Sequence, residues 1–105
     1  MIQTDLYFGL SKPDGSIVSE SEWKHFKETE VARIFKDGST TMIASGLWYD
    51  SATHQLIAEP SYVVISVHKN SPQISKQIDT LRLLYKAMFK QQSILRVDKN
   101  VKVSF

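Results

Sequence analysis

The sequence predicts an α+β fold in which a four-stranded antiparallel sheet carries two helices on one face. Residues 4–10 alternate apolar and polar side chains, the period of a strand with one buried face. Two later stretches begin with helix-capping residues and continue at helical spacing. Residues 95–105 alternate again, so the chain begins and ends on strands.

The first strand organises the prediction. Leu6, Phe8 and Leu10 lie on one face and are expected to receive both helices, while Tyr7 points the other way. The following Pro-Asp-Gly at 13–15 is a strong turn sequence, because proline presets φ and glycine permits a left-handed residue.

The first helix has two independent start signals. Ser19 and Glu22 fit a capping box, and Val18 with Trp23 fits the hydrophobic staple that closes over it. Its apolar spacing is imperfect around residues 27–30. The expected apolar surface comprises Trp23, Phe26, Ala32, Ile34 and Phe35. The helix is expected to end at Lys36-Asp37-Gly38, with Gly38 in the left-handed position.

The second and third strands are predicted from β-rich runs. Strand two covers residues 40–50, where Gly46 suggests a bulge or a close backbone approach. A polar turn at 50–54 leads into residues 55–59, which return antiparallel to it. Pro60 cannot donate a ladder bond and is expected to mark a bulge or an edge. Strand three then covers residues 61–68, with Val63, Ile65 and Val67 on one face and Tyr62, Val64, Ser66 and His68 on the other.

The second helix and last strand are the most regular elements. Ser71 is a good N-cap and Pro72 suits the first helical position. The predicted apolar stripe comprises Ile74, Ile78, Leu81, Tyr85 and Met88, widened by Leu84 and Phe89. In the last strand the apolar face is expected to hold Leu95, Val97, Val101, Val103 and Phe105, with Arg96 and Asp98 on the polar face.

The element order β-α-β-β-α-β is that of the ferredoxin-like fold. Right-handed crossovers then place strands one and three in the middle of the sheet and both helices on one face. Function or oligomerisation is expected at the uncovered face. The side chains predicted there are Asp5, Tyr7, Tyr62, Ser66, Arg96 and Asp98, with His68 at the strand end.

Composition favours a single cytoplasmic domain spanning residues 1–105. The 105 residues are 42% hydrophobic and include no cysteine, which excludes disulfides and cysteine metal sites. No apolar run is long enough for a bilayer, and no signal peptide is recognised. Residues 69–105 carry 8 Lys/Arg and 2 Asp/Glu, so this part of the chain is expected to offer a basic surface to an anion.

No catalytic motif stands out in the sequence. It has no phosphate-binding loop, dinucleotide fingerprint or nucleophile elbow. His25, His54 and His68 lack metal-ligand spacing, so no metal and no cofactor is predicted. Residues 62–66 do not resemble the aromatic strand of RNA-recognition domains, and the net charge of +2 is small, which disfavours nucleic acid.

The predicted ligand site joins aromatic rings to arginines. Rings would stack on the ligand and the guanidinium forks of Arg82 and Arg96 would hold an anionic group. Alternatively Glu59 pairs with one of these arginines and Tyr85 belongs to the core. Gln92 lies in the same stretch. The full predicted set is Tyr7, Trp48, Glu59, Tyr62, Arg82, Tyr85, Gln91 and Arg96.

Several segments resemble the domain-of-unknown-function family 3574 of bacteria and phages. They include residues 4–10, 13–15, 35–38, 46–48, 59–61, 89–96 and 103–105, together with Val18, Glu22, Trp23, Phe26, Thr40, Arg82 and Tyr85. The family's Thr-Pro-Arg-Phe signature keeps only Arg33 and Phe35 here. Bacterial members are usually longer and carry a secretion-type N-terminus, so the resemblance favours a cytoplasmic, phage-encoded form. It implies a shared architecture but names no reaction.

Three functions follow from these features. The leading prediction is a non-enzymatic homodimer or higher homo-oligomer that binds a small anionic molecule, such as a nucleotide signal sequestered by a phage against host defence. The second is a protein-interaction module that inhibits a host factor. The third is a small open-sheet enzyme, such as an isomerase or monooxygenase-like protein, with Asp5, Glu59 or His68 as general base and Tyr7 or Arg96 polarising the substrate.

Overall fold

The computed structural model describes residues 1–105 and confirms the predicted element order. The strands are β1 (Ile2–Gly9), β2 (Thr40–Asp50), β3 (Gln55–His68) and β4 (Leu95–Asn100). They form one antiparallel sheet in the order β2-β3-β1-β4, with β1 and β3 in the middle. None of the helices combines the length and apolarity that a membrane crossing requires.

The first predicted helix is one continuous helical segment in three parts. It consists of α1 (Glu20–Phe26), a π-helical turn (Lys27–Val31) and α2 (Ala32–Ile34). The predicted capping box at Ser19 is present. The π turn widens the winding by about one residue, so Val31 is buried while Ala32 is exposed. This π turn therefore explains the imperfect spacing of apolar residues around residues 27–30.

The second predicted helix is α3 (Pro72–Phe89). Ser71 caps its start and Pro72 occupies the first turn, as predicted. Phe89 is buried and Met88 is exposed, so Phe89 takes the last position of the apolar stripe. Lys90 ends the helix in the left-handed conformation, with φ 54°.

The core lies between the helices and the side of the sheet that carries Leu6 and Phe8, which we call the helix side. Both residues are fully buried, whereas Tyr7 lies on the opposite, open side and is 36% exposed. Phe8 packs against Trp23 and Tyr85 with ring centroids 5.2 and 4.8 Å apart. The prediction for the first strand is confirmed.

The predicted faces of β3 and β4 are reversed. Leu6 pairs with Val64 and Arg96, and paired residues point to the same side of a sheet, so those two residues lie on the helix side. Tyr62, Ser66, His68 and Asp98 follow them by strand alternation. Val63, Ile65, Val67, Leu95 and Val97 therefore lie on the open side. The open side is more apolar than the sequence suggested.

The β2–β3 hairpin extends beyond the rest of the sheet. The last pair between β1 and β3 joins Gly9 to Ser61, so residues 46–59 continue as a two-stranded ribbon. Pro60 pairs opposite Ser45 in unbroken register, so there is no bulge. It lies just past the last pair with β1, which agrees with the alternative prediction of an edge. β4 ends at Asn100, so the predicted strand up to Phe105 is too long. The molecule measures 44 × 26 × 23 Å.

Candidate functional site

The Glu59 side chain lies where the ribbon leaves the sheet. Its direct partner on β2 is Gly46, and Gly9 occupies the neighbouring strand on the other side. A methyl group built on Gly9 would collide with Glu59 Oε1 and approach Gln91 Oε1 to 3.2 Å. The missing side chain of Gly9 thus makes room for the carboxylate. A methyl group built on Gly46 would lie 3.3 Å from the Glu59 carbonyl oxygen, which is the close backbone approach that Gly46 suggested.

Three of the predicted site residues meet around the Gly9 backbone. The Tyr85 hydroxyl donates to the Gly9 carbonyl oxygen at 2.7 Å, and Gln91 Nε2 donates to the Ser11 carbonyl oxygen at 2.8 Å. Burial raises the pKa of the Tyr85 hydroxyl, and the negative charges of Glu59 and Glu22 raise it further. Tyr85 therefore stays a neutral donor across the physiological pH range.

Glu59 itself forms no ion pair, and its carboxylate makes no hydrogen bond. The ion pairs of the chain join other residues, and Glu22 is neutralised by Lys12 at 3.4 Å. The Glu59 side chain is only partly exposed, so its charge is incompletely solvated. This end of the sheet is consequently suited to a cation, whereas the sequence predicted an anion site.

Two aromatic side chains share the open side with Glu59. Trp48 follows Gly46 by two residues on β2, and Tyr7 precedes Gly9 by two residues on β1, so both point the same way as Glu59. Trp48 is 51% exposed and Tyr7 is 36% exposed. Trp48, opposite Ile57, is two residues from the level of Glu59 and is free to stack on a planar ligand beside the carboxylate, whereas Tyr7, opposite Val63, lies four residues away from it.

The model of a protein family of unknown function, DUF3574, matches residues 3–105. The chain belongs to the DUF3574 family. Among curated proteins, none matches the DUF3574 chain.

Solved structures share the fold of the DUF3574 chain. A phage SAM lyase in complex with S-methyl-5′-thioadenosine superposes with a TM-score of 0.68 at 18% identity, covering 93% of this chain and 79% of the other. The structure of a phage SAM lyase in the apo state gives the same TM-score at 17% identity, with coverages of 93% and 78%. At this identity the likeness establishes the fold.

The comparison corrects the leading prediction from the sequence. That prediction was a binding protein without catalytic activity, and it is contradicted because the similar solved structures are those of a lyase.

The predicted arginines lie at another place in the DUF3574 chain, where their hydrogen bonds are already made. Arg82 donates to the Ile94 carbonyl oxygen at 3.0 and 2.7 Å and to Asp79 at 2.9 Å. The predicted ion pair between Arg82 and Glu59 is therefore wrong. Arg96 lies on the helix side, where it donates to Asp79 at 2.9 Å and to Asp98 at 3.2 Å. Both guanidinium groups hold the β4 edge against α3.

Tyr62 also serves the fold. It was predicted on the open face, but its ring stacks on Trp23 at 4.6 Å with an interplanar angle of 6°. The ring is therefore already stacked within the protein. The predicted set thus divides into three groups. Glu59, Tyr85 and Gln91 meet at Gly9, Tyr7 and Trp48 lie on the open side, and Tyr62, Arg82 and Arg96 make structural contacts.

The ion pairs that join Asp79 and Asp98 to Arg82 and Arg96 at the β4 edge predict that the fold loses stability in acid. Burial raises the pKa of the Asp98 carboxyl, but hydrogen bonds from Arg96 and Thr4 outweigh burial and leave the pKa below its ordinary value. The same balance, with bonds from Arg82 and Arg96, lowers the pKa of Asp79. Because both carboxyls have lowered pKa values in the folded state, their stabilisation is complete above the unfolded value near 4 and is lost as the pH falls through the folded values.

Replacing Arg96 with methionine is expected to reduce stability at pH 7 by about 1–3 kcal/mol, since several charged hydrogen bonds are lost. The fall in unfolding free energy between about pH 5 and pH 2 should then be smaller than in the wild type. Urea unfolding followed by circular dichroism at several pH values measures both effects. Arg33→Met is the matched control, because Arg33 is 67% exposed and pairs only with Glu30. An unchanged pH profile in Arg96→Met would contradict the assignment.

Proposed function

We propose that this protein is a lyase that acts on S-adenosylmethionine, built on a ferredoxin-like β-α-β-β-α-β architecture. The likeness to phage SAM lyase structures over 93% of the chain supports this proposal. The unpaired Glu59 carboxylate, with the exposed Trp48 ring near it on the same side of the sheet, offers a place for a cationic nucleoside. Sulfonium and adenine groups are the two parts of this substrate that such a site recognises.

The bond to be broken follows from the chemistry of the substrate. The sulfonium sulfur carries a methyl group, the adenosyl carbon and Cγ of the amino acid. Release of S-methyl-5′-thioadenosine breaks the bond from sulfur to Cγ, and its electron pair neutralises the sulfonium. The substrate's own carboxylate then bonds to Cγ, which balances the reaction without an added reactant and yields a lactone.

In this proposal Glu59 holds the sulfonium by charge attraction and Trp48 stacks on the adenine. Two charges about 4 Å apart near a protein surface attract with roughly 4 kcal/mol. The Tyr85 hydroxyl and the Gln91 side chain brace the Gly9 backbone against which the Glu59 carboxylate rests. These two residues position Glu59 and do not contact the substrate.

The biological setting in this proposal is the one predicted from the sequence. A phage-encoded protein that works as a homo-oligomer against host defence in the host cytoplasm is supported by the phage source of the similar structures. The exposed apolar side chains of the sheet, which include Leu47, Leu56 and Leu95, support self-association.

Incubation of the purified protein with S-adenosylmethionine tests the proposal. We expect S-methyl-5′-thioadenosine and homoserine lactone in equal amounts, detected by chromatography with mass spectrometry. S-Adenosylhomocysteine is the matched control and should stay intact, since its neutral thioether lacks the charge and the leaving group. If a folded sample releases no thioadenosine above the uncatalysed rate, the proposed activity is wrong.

A further inference from the structure

The β2–β3 hairpin, from the end of the three-stranded part into the ribbon, carries an apolar stripe that nothing in the chain covers. On the helix side of residues 43–58, Ile43, Leu47, Tyr49 and Leu56 are 69%, 69%, 56% and 68% exposed. They share this side because Ile43 pairs with Tyr62, Leu47 with Ala58 and Tyr49 with Leu56. We call these four residues the ribbon stripe. It lies on the face opposite to Glu59 and Trp48 and is separate from the proposed substrate site.

The ribbon stripe is also free of charge. The other residues on this side of the ribbon are Ser45, Ala58 and Pro60, none of which is charged. Surfaces that face only water usually carry lysine or glutamate at such positions. The edge strand β4, by contrast, is short and carries Arg96, Asp98 and Lys99. The β2 edge lacks this protection along its first ten residues and is charged only at Asp50.

A two-stranded ribbon is marginally stable on its own. Beyond Ser61 the hairpin pairs with no third strand, and the large apolar residues of the stripe have little packing support. Because every copy of the chain exposes the ribbon stripe, a partner that buries it in every copy has to be present in the same amount as the chain. Another copy of the same chain meets that requirement.

The exposed area agrees with such a contact. Four large side chains of this exposure offer on the order of 500 Å² per copy, so contact with an equal area of a second copy buries on the order of 1,000 Å². This is the lower limit for a specific protein interface. The absence of lysine and arginine from the stripe argues against an anionic membrane as the partner.

We infer that the ribbon stripe is an assembly surface that packs against a second copy of this chain. The inference specifies where the predicted homo-oligomer is held together. It does not depend on lyase activity, because its test measures molecular mass and solvent access.

Sedimentation velocity from about 1 to 200 µM is the first test. We expect the wild type to assemble, and Leu47→Asp or Leu56→Asp to raise the concentration of half-assembly by roughly 10- to 100-fold. Leu83→Asp is the matched control, since Leu83 is an exposed leucine, at 64%, on α3. A monomeric wild type at the highest concentration overturns the inference, as does assembly that tolerates both ribbon substitutions.

Thiol labelling tests the same contact without adding charge. Because the chain has no cysteine, Leu56→Cys and Leu83→Cys each introduce a single thiol. The thiol at position 56 should react at least tenfold more slowly in the assembled protein than after dilution, while the thiol at position 83 should react at one rate throughout. Equal reactivity of position 56 at all concentrations contradicts the inference.

Discussion

Glu59→Gln is expected to reduce kcat/KM for cleavage of S-adenosylmethionine by roughly 100- to 1,000-fold, following the charge attraction estimated above. The substitution keeps the size of the side chain and its contact with Gly9 but removes the negative charge. Since the glutamine has no charge to offer the sulfonium, substrate binding is weakened. Steady-state release of S-methyl-5′-thioadenosine measures the effect.

The distribution of the loss between KM and kcat identifies the role of Glu59. The positive charge of the sulfonium disappears as the bond to Cγ breaks, so a carboxylate beside the sulfur stabilises the bound substrate at least as well as the transition state. The loss should therefore appear chiefly as a higher KM. If kcat falls while KM is unchanged, Glu59 acts instead as a proton acceptor or stabilises charge that develops during the reaction.

Glu28→Gln is the control for the Glu59 experiment. Glu28 is exposed in the π-helical turn, away from the sheet. Its replacement by glutamine removes the same formal charge from the protein as Glu59→Gln does. It should leave kcat/KM within about twofold of the wild type, because charges at the surface and beyond the screening length contribute little. A comparable loss in both variants would mean that overall charge, rather than the Glu59 site, governs substrate binding.

The sequence predicted the elements better than the faces they present. Side-chain caps are local signals, and Ser19 and Ser71 mark helix starts in the structure as predicted. β1 was also assigned correctly, because its apolar residues occupy alternate positions only. β3 has apolar residues at both alternations, so its pattern cannot select a side, and pairing of Leu6 with Val64 decides it.

β4 shows how an uncovered apolar face misleads a pattern-based prediction. Leu95 and Val97 were assigned to the core because they are apolar, yet they lie on the open side. Arg96 faces the helices because Asp79 and the Ser75 carbonyl oxygen on α3 accept its hydrogen bonds. Such tertiary partners are far away in the sequence, so their effect on orientation has no local signal.

The candidate site was accessible to the sequence only in part. Glu59, Tyr85 and Gln91 were singled out individually, but their meeting point at Gly9 depends on the pairing of β1 with β3 and on the end of α3. The arginines suggested an anionic ligand, but acidic partners such as Asp79 already pair with them in the folded chain. Charge counted along a chain does not show which charges remain unpaired after folding.

Phe8→Ala is expected to destabilise the fold by about 3–5 kcal/mol, the usual cost of removing a buried aromatic side chain. Phe8 is fully buried, and its ring lies 5.2, 5.8 and 4.8 Å from the ring centroids of Trp23, Phe26 and Tyr85. No neighbouring side chain can close the cavity without leaving its own contacts, so most of the cost remains. For a chain of this size, that corresponds to a fall in Tm of roughly 15 °C or more.

Urea unfolding followed by circular dichroism and by tryptophan fluorescence measures the loss. Phe8→Leu retains part of the packing and should give an intermediate value, which keeps the comparison quantitative if the alanine variant does not fold. Phe105→Ala is the matched control, because that ring is fully exposed beyond β4, and its removal should change stability by less than about 0.5 kcal/mol. Equal stability of the Phe8 and Phe105 alanine variants would mean that β1 does not form the centre of the core. The helix side of the sheet would then have to be assigned anew.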